Sequence, residues 1–349
     1  MRKFESITIN HQTIPWSGIS EFRATWAGDP EIPPFLEAWS DEQNTFPALT
    51  SGSTGKPTRV LLRKEYAVAS ALATIEHLDL QAGNNVLLSM PAAYIAGRMM
   101  IVRAIVGNFN LLPVPLSSTP QIPSESIGLA AFTPHQFYNI VDSHENLNHL
   151  NIQNILLGGA PVSENLIRQI KGFRGRIYET FGMTETYSHV AMKMRYPVDE
   201  DLFTAVGPAR FRERDNRLIV DAPHLGIDGL ETRDVVELEG PKKFRWVGRA
   251  DFVINSGGIK IFPEMVEKKL IPVIKQPFFI TGRPDPEFGQ RVVLVIEGAP
   301  SGIPEKQLMD QMEKVLGKYE KPKSIVWVDT MVYTQTGKIN RTETVKQII

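Results

Sequence analysis

There is no cysteine among the 349 residues of this chain. Disulfides, thiolate nucleophiles and cysteine-ligated zinc or iron–sulfur clusters are thereby excluded. An excess of one charge is also lacking: 38 Lys and Arg stand against 39 Asp and Glu, for a net charge of -1. No global basic field invites nucleic acid or an anionic membrane surface, although a local basic cluster can still hold a phosphate. No run approaches the roughly 18 apolar residues of a membrane span. The start, Met1-Arg2-Lys3-Phe4-Glu5-Ser6, leads into no apolar core of signal-peptide length. Internal repeats and low-complexity segments are missing too. The expectation is a soluble cytoplasmic protein without nucleic-acid partner or membrane insertion, and a homo-oligomer is compatible with it. The composition is globular, 42% hydrophobic and 22% charged. The length suffices for more than one domain.

One stretch organises the rest. Leu49-Thr50-Ser51-Gly52-Ser53-Thr54-Gly55-Lys56-Pro57 joins two glycines, four hydroxyl residues and a lysine in one short span. It has no hydrophobic face, so it is neither an ordinary core strand nor a helix. Glycines let backbone N–H groups turn inward, and these groups with the hydroxyls can line an anion. The stretch reads as a phosphate-gripping loop or as a solvated Ser/Gly linker. It is not the P-loop signature of nucleotide triphosphatases, because its glycines are three apart and Pro57 follows the lysine.

Around that loop the chain alternates. Residues 1–46 predict a helical or irregular wrapping segment in which Trp16, Phe22, Trp26, Phe35 and Trp39 pack rather than bind. Strands are expected at 60–62, 86–89, 111–114, 127–132 and 155–157, with helices over 64–81 and 95–105. Thr133-Pro134 and Ser163 read as helix starts. Strand–loop–helix alternation argues for α/β layers on a parallel sheet, with ligands beyond the carboxyl ends of the strands. Gly159-Ala160-Pro161 lies at such an end. In 176–193 a strand is expected to break at a turn on Gly182, followed by Thr184-Glu185-Thr186, where a carboxylate beside hydroxyls can hold magnesium and a phosphate oxygen. From 202 to 248 short antiparallel or barrel-like strands are expected, with Asp234 at a strand edge. The last hundred residues predict a compact α+β unit, with a helix from Pro263 to Leu270 and a polar loop at Thr334–Arg341 that carries Lys338.

Taken together, the loop, Gly158-Gly159-Ala160-Pro161, Phe181-Gly182-Met183-Thr184-Glu185-Thr186, Ile254-Asn255-Ser256-Gly257-Gly258-Ile259-Lys260 and Gly337-Lys338 resemble the adenylate-forming acyl-CoA synthetase superfamily, from about Thr50 to Arg341. Within it the chain is most similar to the branch that acts on o-succinylbenzoate in menaquinone biosynthesis. The resemblance implies an α/β fold: a large N-terminal domain (1–250) with layered sheets and a barrel-like β subdomain, and a small mobile C-terminal α+β domain (251–349). It implies that the substrates are ATP with magnesium, a small-molecule acid and CoA.

By the same resemblance, Thr50, Ser51, Gly52, Ser53, Thr54, Gly55 and Lys56 grip phosphates. Gly159, Ala160 and Pro161 meet the adenine, with Phe181 where the family usually has tyrosine, and with Gly182 beside it. Thr184 meets the α-phosphate and Glu185 the metal. Asp234 and Arg249 hold the ribose, Asp251 is the hinge, and Ser256, Gly257 and Gly258 form the CoA-side turn. Lys338 bridges acid and α-phosphate. Tyr94, Arg98, Ser188, His189 and Lys193 are the candidates for the acid, whose second carboxylate needs a partner when buried. Two further departures from the family pattern are Thr58, at a position usually lysine, and Tyr94, at a position usually histidine. The alternatives left open are another aryl or acyl acid, a carrier protein as acceptor, and a nucleotide-binding protein without catalysis.

Overall fold

The computed structural model describes residues 4–50, 58–299, 305–333 and 339–348. The chain opens on a hairpin, β1 (Ser6–Ile9) and β2 (Gln12–Pro15), then α1 (Ile19–Thr25) and α2 (Ile32–Ser40). The wrapping segment expected for 1–46 thus begins as strands before its two helices. Its turn residues Asn10 and His11 sit at φ 47° and 64°, the left-handed pair that closes a two-residue hairpin. The aromatics pack as expected, Phe35 edge-on to Phe46 at 5.5 Å and tilted against Trp39 at 5.9 Å.

A second hairpin, β3 (Thr45–Leu49) with β4 (Arg59–Arg63), carries the phosphate-loop candidate between its strands. The Thr50 N–H donates to Thr58 O at 2.9 Å, which closes the base of that loop. Residues 51–57 lie outside the described residues. Then follow α3 (Lys64–His77), β5 (Asn85–Leu88), α4 (Ile95–Gly107), β6 (Asn110–Pro113), β7 (Ile127–Phe132), α5 (Pro134–Asp142), β8 (Ile152–Leu157), α6 (Glu164–Gln169) and β9 (Arg176–Met183). β6, β5, β7, β8 and β9 lie side by side and parallel. All six residues of β7 are buried, as a strand covered by helices on both faces requires. Thr133 and Gln136 form a capping box at the start of α5.

The strands β10 (Ser188–Tyr196), β11 (Phe203–Ala205), β12 (Arg210–Arg214), β13 (Arg217–Ala222), β14 (Ile227–Leu238) and β15 (Lys243–Arg249) run antiparallel. They do not start a sheet of their own. They extend the parallel one into a thirteen-stranded sheet of order β12-β13-β14-β15-β11-β10-β9-β8-β7-β5-β6-β1-β2. Gly182 corrects the expected break: it lies inside β9 and pairs with His189. A Cβ there would meet Ser188 O at 1.9 Å, so only glycine allows β10 to cross this close.

The last part has its own five-stranded sheet and core. It comprises β16 (Ile254–Ser256), β17 (Ile259–Ile261), α7 (Pro263–Leu270), β18 (Phe278–Asp285), β19 (Gly289–Glu297), α8 (Glu305–Glu313), β20 (Ser324–Val328) and α9 (Arg341–Gln347). Gly257 and Gly258, at φ 57° and 80°, close the β16–β17 hairpin, a turn that needs two left-handed residues. Among the described residues no helix is long and apolar enough to cross a membrane.

Candidate active site

The carboxyl ends of β8 and β9 bring two motifs together. Leu157 and Glu179 are register partners, so the turn after β8 lies beside the end of β9. The Gly158 N–H donates to Phe132 O at 3.2 Å, and Thr180 Oγ1 donates to Leu157 O at 3.1 Å. Gly159 takes φ 88°, and Gly159, Ala160 and Pro161 are exposed. Phe181 stands edge-on to Phe244 at 5.1 Å and is half-buried.

β9 ends in a single tight turn, Thr184–Thr186. The hydroxyl of Thr186 locks it, accepting from Met183 N at 2.9 Å and donating to Ser188 O at 2.6 Å. Thr184 is buried and Glu185 is exposed. The magnesium implied by the resemblance can be tested against this donor set. No group of three or more His, Cys, Asp or Glu side chains suited to a metal gathers among the described residues. A lone free carboxylate beside a threonine fits magnesium nonetheless, because that ion takes one or two carboxylates and completes its shell with water and substrate phosphates.

Asp234 and Arg249 face one another as partners of β14 and β15. The Trp246 Nε1–H donates to Asp234 Oδ1 at 2.9 Å, and Arg249 Nη1 lies 3.5 Å from Oδ2. Burial holds the Asp234 carboxyl above its usual range, with Trp246 and Arg249 pulling the other way. Lone pairs remain on both oxygens for two further donors. Asp251 sits on a short turn, Ala250–Phe252, and accepts from Arg233 and Arg249 at 3.1 Å each.

The acid candidates separate. Tyr94 begins α4 and lies beside Leu49 at the base of the phosphate-loop hairpin. Arg98 is turned to the fold: Nε donates to Ala92 O at 2.8 Å, and the guanidinium lies over the Phe35 ring at 5.4 Å. Lys193 is 3.2 Å from Glu179 and over the Phe203 ring at 4.7 Å, so it is engaged away from Ser188. His189 is buried, 2.9 Å from Thr74 Oγ1. Burial, then Arg103 and His77, hold its pKa well below the ordinary imidazole value, so it stands neutral beside the acid candidates.

A buried charge that the sequence reading did not single out is Arg103. It is 2% exposed on α4, its Nη2 donates to Ser188 Oγ at 2.8 Å, and its Nε has no partner. Burial alone pushes it down to about 9, with no carboxylate opposing. It is still a cation at neutral pH. The signal was available: an arginine interrupts Met99-Met100-Ile101-Val102-Arg103-Ala104-Ile105, a helix segment with no polar face. Lys338 and Ser51 to Lys56 lie outside the described residues.

These burials make a pH prediction. His189, His77 and His224 all have depressed folded-state values, with burial the largest cause in each. Below pH about 6.5 the unfolded chain therefore binds more protons than the folded one, and stability falls as pH drops, by up to about 1.4 kcal/mol per pH unit for the buried His189 and by less for the solvent-screened His77 and His224. Denaturant unfolding at pH 5, 6, 7 and 8 is expected to show that slope, and His189→Gln to flatten it. An unchanged slope in the variant would remove His189 from the account.

Residues 5–221 match the family model described as AMP-binding enzyme. A 2-succinylbenzoate–CoA ligase from Listeria monocytogenes is 26% identical over 92% of this chain and 73% of its own length. One from Staphylococcus aureus is 28% identical over 84% of this chain and 65% of its own length. An acyl-CoA synthetase (AMP-forming)/AMP-acid ligase II-like protein from Dyadobacter fermentans is 31% identical, with a TM-score of 0.60, covering 92% of this chain and 94% of the other. The o-succinylbenzoate coenzyme A synthetase of Bacillus subtilis, solved with ATP and magnesium, shares the fold at a TM-score of 0.74 and 20% identity, over 86% of this chain and 69% of its own.

Proposed function

This chain belongs to the AMP-binding enzyme family, and on that premise we propose that it is an AMP-forming acid–CoA ligase for o-succinylbenzoate (2-succinylbenzoate). The products are o-succinylbenzoyl-CoA, AMP and pyrophosphate. The observation that carries the substrate is Arg103, a buried cation with no carboxylate partner among the described residues, bonded to Ser188 just past the Thr184–Thr186 turn. We read the acid's reacting carboxylate as meeting Thr184 and its other end as turned toward the Arg103–Ser188 pair. A second carboxylate there supplies the missing counter-charge.

The chemistry follows from the residue types. In the first step one oxygen of the acid's carboxylate bonds to the α-phosphorus of ATP, and the bond to pyrophosphate breaks. In the second the thiol of CoA gives up its proton, its sulfur bonds to the acyl carbon, and AMP leaves. A carboxylate is already a nucleophile, so no general base is needed; the barrier is the meeting of anions. Thr50 to Lys56, the Thr184 hydroxyl and Lys338 address it with donors and positive charge, and magnesium, held by Glu185 and the phosphates, supplies further neutralisation. Asp234 and Arg249 hold the ribose, and Gly159 to Pro161 with Phe181 the adenine. Tyr94 and Ser188 line the acid with Arg103.

Residues 1–250 form the adenylation domain and 251–349 the mobile one, with Asp251 as the hinge between steps. Asp251→Pro, which restricts the backbone rotation, is expected to spare pyrophosphate release and to slow thioester formation roughly tenfold or more. Equal loss in both steps would contradict the hinge.

The direct test is pyrophosphate release with ATP, magnesium and o-succinylbenzoate, with and without CoA. Release that depends on the acid, with thioester only when CoA is present, is the expected result. Activity with a different acid only would keep the chemistry and discard the substrate, and silence with every acid would overturn the ligase.

A further inference from the structure

Val162 follows the exposed Gly159-Ala160-Pro161 turn, and both of its peptide groups are held by side chains from the next two strands. Its N–H donates to Glu179 Oε1 at 3.3 Å, from β9. Its carbonyl accepts from Arg195 Nη1 at 3.1 Å, from β10. The two side chains also bond each other. Arg195 is 4% exposed and Glu179 is 7% exposed. Asp199 accepts from Arg195 Nε at 2.6 Å, and Lys193 stands 3.2 Å from Glu179. Two cations and two carboxylates thus balance, so the buried charges are compensated.

The turn itself stands outside the core. Its residues are exposed, and an exposed glycine turn loses conformational freedom when it binds. We propose that Arg195 is a positioning residue for the nucleotide: with Glu179 it clamps the Val162 peptide and so presets the Gly159–Pro161 turn before ATP arrives. The clamp lowers the ordering cost of binding rather than adding a contact to the ligand. The proposal rests on the reading that this turn meets the adenine.

Arg195→Lys keeps the charge but loses the planar fork that reaches Val162 O, Glu179 and Asp199 together. The Michaelis constant for ATP is expected to rise roughly tenfold while that for the acid changes less than about twofold. The preference for ATP over GTP, which carries the same triphosphate on another base, is expected to shrink by a similar factor. Glu179→Gln, of the same size, serves as the second variant should Arg195→Lys fold poorly. It is expected to act in the same direction, with thermal unfolding measured alongside. An unchanged ATP constant and an unchanged ATP-to-GTP ratio would overturn the clamp. So would parallel losses for ATP, GTP and acid, which signal general damage. A wild-type protein that releases no pyrophosphate with any acid points instead to failure of the ligase reading.

Discussion

Arg103→Met is expected to raise the Michaelis constant for o-succinylbenzoate about a hundredfold, with that for ATP nearly unchanged, because truncating one partner of a desolvated charge pair costs about 2–5 kcal/mol. The same change should make the free protein more stable. In the structure the guanidinium is buried and, among the described residues, its hydrogen bonds go to Ser188 and, weakly, to Met100. Methionine fills similar space without a charge, so a gain of about 1–3 kcal/mol in unfolding free energy is expected. This opposite movement separates a substrate-binding arginine from a structural one, since a structural residue would lose both stability and activity. A monoacid lacking the second carboxylate supplies the control: the wild type should discriminate against it, and Arg103→Met should not. A variant that melts lower and loses ATP and acid kinetics together would sink the assignment.

Lys338→Ala is expected to slow acyl-adenylate formation by about 10²–10³-fold, the range seen when a single charged or hydrogen-bonding stabiliser of a developing oxyanion is removed. The resemblance places this lysine between the reacting carboxylate and the α-phosphate. There its ammonium would offset charge where two anions approach. Thioester formation from acyl-adenylate supplied from outside should change little, because that step no longer joins carboxylate and phosphate. Measuring both half-reactions separately checks it, and equal losses would show that Lys338 acts on the fold or on both steps.

Much of the scaffold was legible because its signals are local. The all-apolar strand Ile127–Phe132, the Thr133 cap and the helix from Pro263 to Leu270 all form where their residues predict. The first hairpin escaped because Asn10-His11 lacks the glycine that marks a two-residue turn, and its strands are four residues each. The final helix, Arg341–Gln347, escaped because its residues carry little apolar periodicity. Gly182 was read as a turn because glycine usually punctuates a chain. Its actual task is to let β10 approach.

The sequence alone determined the parts that act through their own backbone and nearest neighbours. These are the Thr133 cap, the Gly159–Pro161 turn and the turn at Gly257-Gly258. Turn chemistry and donor types are local properties, and a short motif carries them whole. Only the tertiary structure decided which charges stand paired. Arg98, plausible on its helix, is tied to the Ala92 peptide, whereas Arg103 meets Ser188 across 85 residues with no carboxylate partner among the described residues. Arg195 reaches Val162 across 33 residues, and Asp234 meets Arg249 by strand register. A buried charge takes its meaning from partners that the chain brings in from far away. That pairing is fixed by packing and register, which no stretch of sequence contains.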